Sequence, residues 1–285
     1  MQYRILDDLQ QNTPEWEEFR KGKIGASMAP SIMGIGFKTQ LQLWEEMTFD
    51  LKTQENDAMR RGKKLEPFAR ELVNVKMGAN FKPAVVQSLE HPWLIASLDG
   101  YGRRFKDNQI HALEIKCPQK RYERGIVPEM YRPQVQHQMR ILGIPMMFYV
   151  TFYDPNDFDI VEVGYDEKYA DEVFSRERTF KDNLDDFVPP ESTDRDWVQI
   201  NDSSLLETAQ KLISTKAMIK QLEMSEKELE DALKRSLNNP RCKIGNLKAQ
   251  KILRKGAIDY GKIEALQGMN LEAYRKKPSE YWKFG

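Results

Sequence analysis

Two acidic residues and one lysine have the spacing that metal-assisted phosphate chemistry uses. Asp99 is followed fifteen residues later by Glu114, and Lys116 lies two positions beyond Glu114. Positions i and i+2 of a β-strand share a face, so Glu114 and Lys116 should point the same way on a strand. Carboxylates are preferred ligands of hard divalent cations such as Mg²⁺, and an ammonium can contact the attacking water or a phosphate oxygen. The pattern predicts phosphodiester hydrolysis, in which two ions about 3.5–4 Å apart stabilise the attacking and leaving oxygens.

A third acid and a backbone carbonyl are further candidates for this site. Glu66 lies in the run 61–69, where neighbouring basic residues are suited to a phosphate backbone. The carbonyl of Ile115 points sideways from the predicted strand and is a plausible extra ligand. The alternative is an ion pair on the solvated face of an edge strand. The apolar neighbours of Glu114 and Lys116 disfavour that alternative, because a charge among apolar residues needs a partner.

The elements that must position these residues follow from hydrophobic periodicity. The predicted helices are 14–21, 39–47, 57–77, 129–143 and 168–187, and the predicted strands are 85–87, 94–98, 110–117, 146–153 and 160–165. Pro67 crowds the preceding turn, so we expect a kink or a new helix start near Glu66. Ser27 is expected to cap a short helix. Strands on both sides of a helix predict an α/β fold with a central mixed sheet flanked by helices.

The composition limits the class of protein. The chain has 285 residues, of which 40% are hydrophobic, enough to close a substantial core. Cys117 and Cys242 are the only cysteines, which argues against a disulfide framework, a four-cysteine zinc site and an iron–sulfur cluster. The sequence has no apolar run long enough to cross a membrane and no signal-peptide pattern, so we expect a cytoplasmic protein with no membrane partner.

The net charge of zero conceals an uneven distribution along the chain. From Arg195 to the end there are 18 Lys and Arg against 12 Asp and Glu, and from Arg241 onward the balance is 11 against 4. Residues 205–237 predict a long helix or a helical hairpin, and 244–259 predict a basic β-hairpin. We place the boundary between two domains near residue 193. The domain at 1–193 would carry the chemistry, and the extension at 194–285 would serve oligomerisation, partner docking or DNA contact.

Ordered blocks of sequence resemble the lambda exonuclease and YqaJ-like family of phage recombination nucleases, within the PD-(D/E)XK superfamily. The blocks are WxxxRxGxIGAS at 16–27, GKxxExxAR at 62–70, SLDG at 97–100, LEIKCP at 113–118, YxxQVQ at 131–136, YDP at 153–155 and DEKY at 166–169. The resemblance implies a restriction-endonuclease-like core. The C-terminal helical extension and the small basic β-hairpin lie outside it.

The resemblance also implies an activity. The chain is expected to be a 5′→3′ exonuclease that degrades one strand of linear double-stranded DNA from its ends and leaves 3′ single-stranded tails. The expected cofactor is Mg²⁺, as two ions, with Mn²⁺ as a substitute. The expected partner is a single-strand annealing protein that uses the tails for recombination. The family further implies a ring-shaped homo-oligomer, with a trimer favoured, encoded by a phage or prophage.

Individual roles are carried over by position. The implied metal ligands are Glu66, Asp99, Glu114 and the carbonyl of Ile115. Lys116 would position or deprotonate the attacking water, and Gln134 would lie beside it. Arg20 and Ser27 match positions that hold the terminal 5′-phosphate, and Arg121 is a looser candidate for the same role. Tyr131 and Gln138 are further candidates for contact with the substrate.

Two other functions stay open at this stage. A structure- or sequence-specific endonuclease of the same superfamily would give internal fragments, whereas an exonuclease would release mononucleotides from ends. A catalytically silent subunit that binds DNA ends is disfavoured, because Glu66, Asp99, Glu114 and Lys116 are all present. His137 is interpreted as a half-buried structural histidine rather than as a general base, since a lysine serves that role in the superfamily.

Overall fold

The computed structural model describes residues 2–9, 13–51, 55–254, 256 and 262–263. The chain forms two compact units, the first of which is Met1–Gln199. The second begins at Ile200, a few residues beyond the boundary that the sequence suggested.

A short 3₁₀ turn at Asp194–Asp196 explains where the first unit ends. Arg195 donates from Nη2 to the carbonyls of Gly36 (2.8 Å) and Phe37 (2.9 Å). Thr39 donates its hydroxyl hydrogen to Asp196. These contacts join residues just beyond 193 to the first unit, and such long-range contacts leave no local signal in a sequence.

The first unit is built from a mixed sheet and flanking helices. Its described strands are β1 (Tyr3–Ile5), β2 (Ile24–Gly25), β3 (Lys82–Ser88), β4 (Leu94–Arg104), β5 (Gln109–Lys116), β6 (Met146–Asp154) and β7 (Asp157–Gly164). Its described α-helices are α1 (Pro14–Arg20), α2 (Ala29–Ile32), α3 (Gln40–Phe49), α4 (Asp57–Met77), α5 (Arg132–Leu142) and α6 (Glu167–Asp185). The strand order is β1-β3-β4-β5-β6-β7, and β2 pairs with β4. Strands β5 and β6 are parallel because α5 carries the chain back between them, which confirms the expected mixed sheet.

Strand β4 has an irregularity at the candidate aspartate. Lys82 of β3 pairs with Tyr101, and Ala84 pairs with Leu98. Between these pairs β3 contributes one residue and β4 contributes two, Asp99 and Gly100, which defines a β-bulge. The residue opposite the bulge is Pro83, which has no N–H to give to the ladder. Bulges of this kind change the direction of a side chain without ending the strand.

The two faces of the sheet bury separate apolar clusters. Ala112 packs in a cluster with Leu98 and Val135, whereas Leu113 and Ile115 pack in a second cluster. Successive residues of β5 therefore point to opposite faces, as the pleat of a strand requires. The first cluster lies on the α5 side of the sheet, because Val135 belongs to α5. Glu114 and Lys116 have the parity of Ala112 and so face α5.

Two local features of the first unit differ from the sequence expectations. Helix α4 continues through Pro67, so the new helix start that was one of the two outcomes expected near Glu66 does not occur. Pro67 and Lys63, whose carbonyl loses its helical partner, are both exposed, so water can hydrate that carbonyl. Ser27 is not a helix cap, because it lies inside the 3₁₀ turn Ala26–Met28, which begins after Gly25.

The second unit contains one long helix and a small hairpin. Helix α7 (Ser203–Ser236) is continuous and ends before Pro240, and β8 (Arg241–Ile244) pairs with β9 (Leu247–Gln250). The turn is at Gly245, whose φ of +58° suits a two-residue hairpin loop. The hairpin therefore lies nearer the N-terminus than the expected 244–259, and residues 257–259 lie outside the described residues. No helix in the described part of the chain is long and apolar enough to cross a membrane.

Candidate active site

Asp99 lies where strands β4 and β5 separate. The pairing of these strands ends at Gly100 and Leu113, and the first residues of β4, Leu94 and Ile95, pair with β2 instead. The Ile115 N–H, which has passed the end of this ladder, donates to Oδ2 of Asp99 at 2.7 Å. The Asp99 side chain thus accepts the hydrogen bond of the Ile115 N–H, which has no backbone partner on β4.

Glu114 is nearly fully buried, with 2% of its surface exposed, and is held by three donors. Its Oε1 accepts from Lys116 Nζ and from Gln134 Nε2, each at 2.6 Å. Its Oε2 accepts from Gln138 Nε2, also at 2.6 Å. Gln134 and Gln138 are one helical turn apart on α5, so both amides reach the same carboxylate. The structure therefore brings these four predicted residues together.

The charges at this site depend strongly on one another. Burial, followed by the negative charges of Glu114 and Glu66, raises the pKa of Asp99 well above its usual range. Burial alone would lower the pKa of Lys116, but the Glu114 and Asp99 carboxylates outweigh it and raise that pKa. In this arrangement Lys116 is a protonated ammonium beside the buried Glu114 and the half-buried Asp99.

Glu66 approaches the same site from helix α4. Arg70, one turn further along α4, donates from Nη1 to Glu66 Oε1 at 2.9 Å and to the backbone carbonyl of Asp99 at 2.6 Å. One guanidinium therefore ties Glu66 to the bulge, and Glu66 contributes to the raised pKa of Asp99. Sequence reasoning gave no role to Arg70, although its i+4 spacing from Glu66 predicts a shared helix face.

The donor set has the chemistry that a divalent cation requires. In the described part of the chain no three His, Cys, Asp or Glu side chains are grouped as a ready metal cage. Among those residues, Oδ1 of Asp99 accepts no hydrogen bond, and Oε2 of Glu114 accepts one, which leaves lone pairs for a cation. Hard oxygen donors in two mutually repelling carboxylates suit Mg²⁺. The residues present therefore fit the metal that the resemblance implies.

Tyr131 forms one wall of the site. The ammonium of Lys116 lies 5.1 Å from the centre of the Tyr131 ring, within the range of a cation–π contact. The ring in turn packs against Tyr149 at 6.0 Å between centroids. Tyr131 therefore contacts the Lys116 ammonium, a role that packs the ring without requiring a bond to substrate.

Arg20 and Ser27 lie on one segment beside the sheet. The guanidinium of Arg20 stacks on Trp16, 4.3 Å from its ring centre, and burial lowers its pKa despite the opposing effect of Glu17. Between them, Ile24 and Gly25 pair with the start of β4. Ser27 is exposed, and its 3₁₀ turn packs against α5 and β4.

Arg121 is placed differently from the other two candidates for phosphate binding. It forms an ion pair with Asp157, which Arg124 also contacts, and it stacks on the ring of Tyr153 at 4.2 Å. About two thirds of its side chain is exposed, at 65%. In this structure Arg121 is held by the turn that begins β7.

His137 is buried and paired, rather than half-buried as expected. Its Nδ1 lies 2.6 Å from Oε1 of Glu177, and its Nε2 lies 3.0 Å from the carbonyl of Ile95. Each ring nitrogen therefore faces an oxygen atom within hydrogen-bond distance. His137 thus joins α5 to α6 and β4, and its hydrogen bonds in the described part of the chain do not include one to Glu114. No local signal could have shown Glu177 as its partner, because the two residues are forty positions apart.

Comparisons with known proteins find chains similar to this one. Residues 15–145 match the family model described as the YqaJ-like viral recombinase domain. The uncharacterized protein YqaJ of Bacillus subtilis (strain 168) is 26% identical over 187 residues, which are 62% of this chain and 57% of that protein. The match therefore spans less than two thirds of that relative's length.

Two solved structures share the fold. The crystal structure of LHK-Exo in complex with dAMP has a TM-score of 0.52 and 22% identity, covering 62% of this chain and 94% of that chain. The alkaline exonuclease LHK-Exo from Laribacter hongkongensis, solved separately, has the same TM-score and identity and covers 70% of this chain and 100% of that chain. Both confirm the mixed sheet with flanking helices. Over residues 15–145, the chain is thus similar to YqaJ-like viral recombinase domains.

Proposed function

We propose that this protein is a Mg²⁺-dependent deoxyribonuclease that degrades one strand of linear double-stranded DNA in the 5′→3′ direction. The observation that carries the proposal is the pair formed by the half-buried Asp99 and the buried Glu114, compensated by the ammonium of Lys116 where β4 and β5 separate. Carboxylates withdrawn from water are costly without compensation, so a fold that keeps two of them at one site has use for a cation between them. The domain's relationship to viral recombinases supports a DNA substrate.

Each side chain of the site has a definite task in this proposal. Asp99 and Glu114 hold the metal, with the Ile115 carbonyl and Glu66 as further ligands, and Gln134 and Gln138 fix the orientation of the Glu114 carboxylate. When bound, Mg²⁺ supplies positive charge to the phosphate and activates water. Two ions, with Mn²⁺ as a substitute, are proposed on the family's precedent. Lys116 positions the attacking water as an ammonium, and it could deprotonate that water only after losing its own proton.

Polarity requires a site that recognises the 5′ end. We assign Arg20 and Ser27 to the terminal 5′-phosphate, because a guanidinium and a hydroxyl are good phosphate donors and both lie on the segment beside β4. Arg121 would have to exchange Asp157 for phosphate to take part. The remaining proposals follow the family: a cytoplasmic, phage-encoded ring of identical subunits, with a trimer favoured, working with a single-strand annealing protein.

The decisive experiment uses a linear duplex with one 5′ end phosphorylated and the other unphosphorylated. Incubation with Mg²⁺ should release mononucleotides from the phosphorylated strand and leave the 3′-ended strand intact. Asp99→Ala should abolish release, whereas Asp182→Ala, an exposed acid on α6, should not. Discrete internal fragments would instead indicate an endonuclease, and end binding without cutting would indicate a silent subunit.

The phosphate assignment has its own test. Arg20→Ala should reduce the rate on the phosphorylated end towards the rate on the unphosphorylated end, because the donor that distinguishes them is lost. An unchanged ratio of the two rates would contradict the assignment of Arg20, even if the nuclease activity itself is confirmed.

A further inference from the structure

The hairpin of the second unit has an unusual distribution of charge. Residues 238–254 contain five cations and no Asp or Glu, and the cations are Arg241, Lys243, Lys248, Lys251 and Arg254. In contrast, helix α7 alternates acidic and basic residues and pairs several of them, such as Lys211 with Glu207 and Lys234 with Glu230. The positive charge of this unit is therefore concentrated beyond the helix.

The strand register places three of these cations on one face. Arg241 pairs with Gln250, and Lys243 pairs with Lys248. Residues directly opposite each other in an antiparallel ladder share a face, so all four polar side chains point the same way. All four are exposed.

The opposite face of the hairpin is apolar and partly covered. It carries Cys242, Ile244, Leu247 and Ala249, of which Cys242 and Ala249 are half-buried. Leu247 lines a cleft together with Leu222, Leu229 and other residues of α7. Leu247 of the apolar face thus borders α7, while the opposite, basic face is exposed to solvent.

The pair Lys243–Lys248 is unfavourable in the protein alone. Like charges directly opposite in a ladder destabilise a hairpin, and no carboxylate among the described residues forms an ion pair with either lysine. A polyanion on this face would remove the repulsion. One face bearing Arg241, Lys243 and Lys248, with an amide at Gln250, offers point charges and hydrogen-bond donors to successive phosphates, as nucleic-acid contacts do.

We propose that the hairpin 241–250 is a second DNA-binding site, which contacts the phosphate backbone of duplex DNA through Arg241, Lys243 and Lys248. This site is separate from the candidate active site in sequence and in residues. The inference rests on the proposed function for the identity of its ligand. It assigns the contact to a two-stranded ribbon whose three cations share one exposed face.

The test measures binding of the full chain to a short blunt duplex by fluorescence anisotropy in EDTA, over a series of KCl concentrations. The triple variant R241A/K243A/K248A should bind on the order of tenfold more weakly, and its log–log salt slope should be smaller by about 2.7. The matched control, K211A/K220A/K227A, removes the same charge from α7 of the same unit and should leave the slope unchanged. Equal effects of the two triples, or no effect of the first, would overturn the proposal.

A single substitution separates binding from folding. Lys243→Glu places opposite charges across the ladder, so it should leave the hairpin at least as stable while weakening duplex binding. Weaker binding accompanied by loss of the folded second unit, measured by circular dichroism, would indicate a structural role instead. A polyglutamate peptide is tested as a second polyanion. If binding of the peptide requires these three cations and binding of the duplex does not, the surface binds an acidic protein rather than DNA.

Because the binding assay contains no metal, its result is independent of cutting. A chain that cuts no DNA can still show the slope change, which would confirm the hairpin site and contradict the nuclease. A chain that cuts DNA with no slope change in the triple variant would leave the nuclease standing and remove the hairpin site.

Discussion

The Lys116 ammonium compensates the charges of Glu114 and Asp99 in the absence of substrate. Its removal should therefore affect turnover and DNA affinity differently. We expect Lys116→Ala to reduce kcat by about 10²–10⁴, the usual contribution of a group that moves or positions a proton. Affinity for duplex DNA should be nearly unchanged, because Lys116 faces Glu114 rather than a surface. Single-turnover cleavage and anisotropy on the same duplex measure the two quantities.

The control for this change is Lys106→Ala, an exposed lysine in the turn between β4 and β5, at the far end of the two strands. It should behave as the unmodified protein in both assays. A parallel loss of binding and cleavage in Lys116→Ala would show that the lysine holds the DNA rather than serving the reaction.

The raised pKa of Asp99 predicts how stability depends on pH in the metal-free protein. Between about 3.9, the usual pKa of Asp, and the raised pKa in the fold, the folded state holds a proton that the unfolded chain has released. The free energy of unfolding therefore falls as pH rises through this window, by up to about 1.4 kcal/mol per pH unit. Asp99→Asn has no such charge to bury, and its oxygen can still accept from Ile115.

Urea unfolding in EDTA at several pH values tests this prediction. Asp99→Asn should be more stable than the unmodified protein at pH 8, and the two should converge at low pH. If the free energies of unfolding of the two proteins changed with pH in parallel, the pH dependence could not be assigned to the Asp99 carboxylate. Added Mg²⁺ should stabilise the unmodified protein more than the variant, by preferential binding to its folded state.

At the scale of elements, the bulge in β4 depends on the glycine that completes it. A Cβ at Gly100 would lie 2.9 Å from the Cβ atoms of both Leu113 and Phe81, closer than such atoms can approach unless the strands shift. We expect Gly100→Ala to destabilise the protein by about 1–3 kcal/mol. Gly62→Ala is the matched control, since a Cβ there meets nothing within 4 Å inside α4 and should stabilise by about 0.5–1 kcal/mol. Equilibrium unfolding should give opposite signs, and like signs would contradict the steric argument.

The pair His137–Glu177 fixes α5 against its neighbours. Glu177→Leu leaves the buried imidazole without its carboxylate, so we expect a loss of about 3–5 kcal/mol, and replacing both residues by leucine should recover much of it. Glu172→Leu, an exposed position on the same helix, is the control and should change stability little. Urea unfolding of the four proteins measures the effects, and a double variant as unstable as Glu177→Leu would contradict the interpretation.

Sequence periodicity predicted the elements better than the contacts between them. The shared face of Glu114 and Lys116 followed from the pleat of a strand. The mixed sheet followed from the order of the apolar runs along the chain. The two amides on Glu114 could not be derived in this way, because α5 reaches that carboxylate only after the sheet has formed. The contacts of Arg195 with Gly36 and Phe37 could not be derived from periodicity either, and they extend the first unit beyond the predicted boundary near residue 193.

For the whole molecule, both apolar clusters lie within the first unit. A fragment of residues 1–199 should therefore unfold cooperatively and retain metal-dependent cleavage of a short duplex. Its salt slope for duplex binding should be smaller by about 2.7, because it lacks the three hairpin cations. Circular dichroism and the anisotropy assay measure these quantities, and a fragment without a cooperative transition would contradict the independence of the first unit.

The hydrogen bond from the Ile115 N–H to Asp99 makes this amide a spectroscopic probe of the site. Any change in the charge or ligands of that carboxylate alters the electric field along a single N–H bond. Its nuclear resonance can thus follow metal loading, even in a Lys116→Ala protein that no longer turns over. The Ile115 amide resonance therefore reports metal binding at Asp99 separately from DNA cleavage.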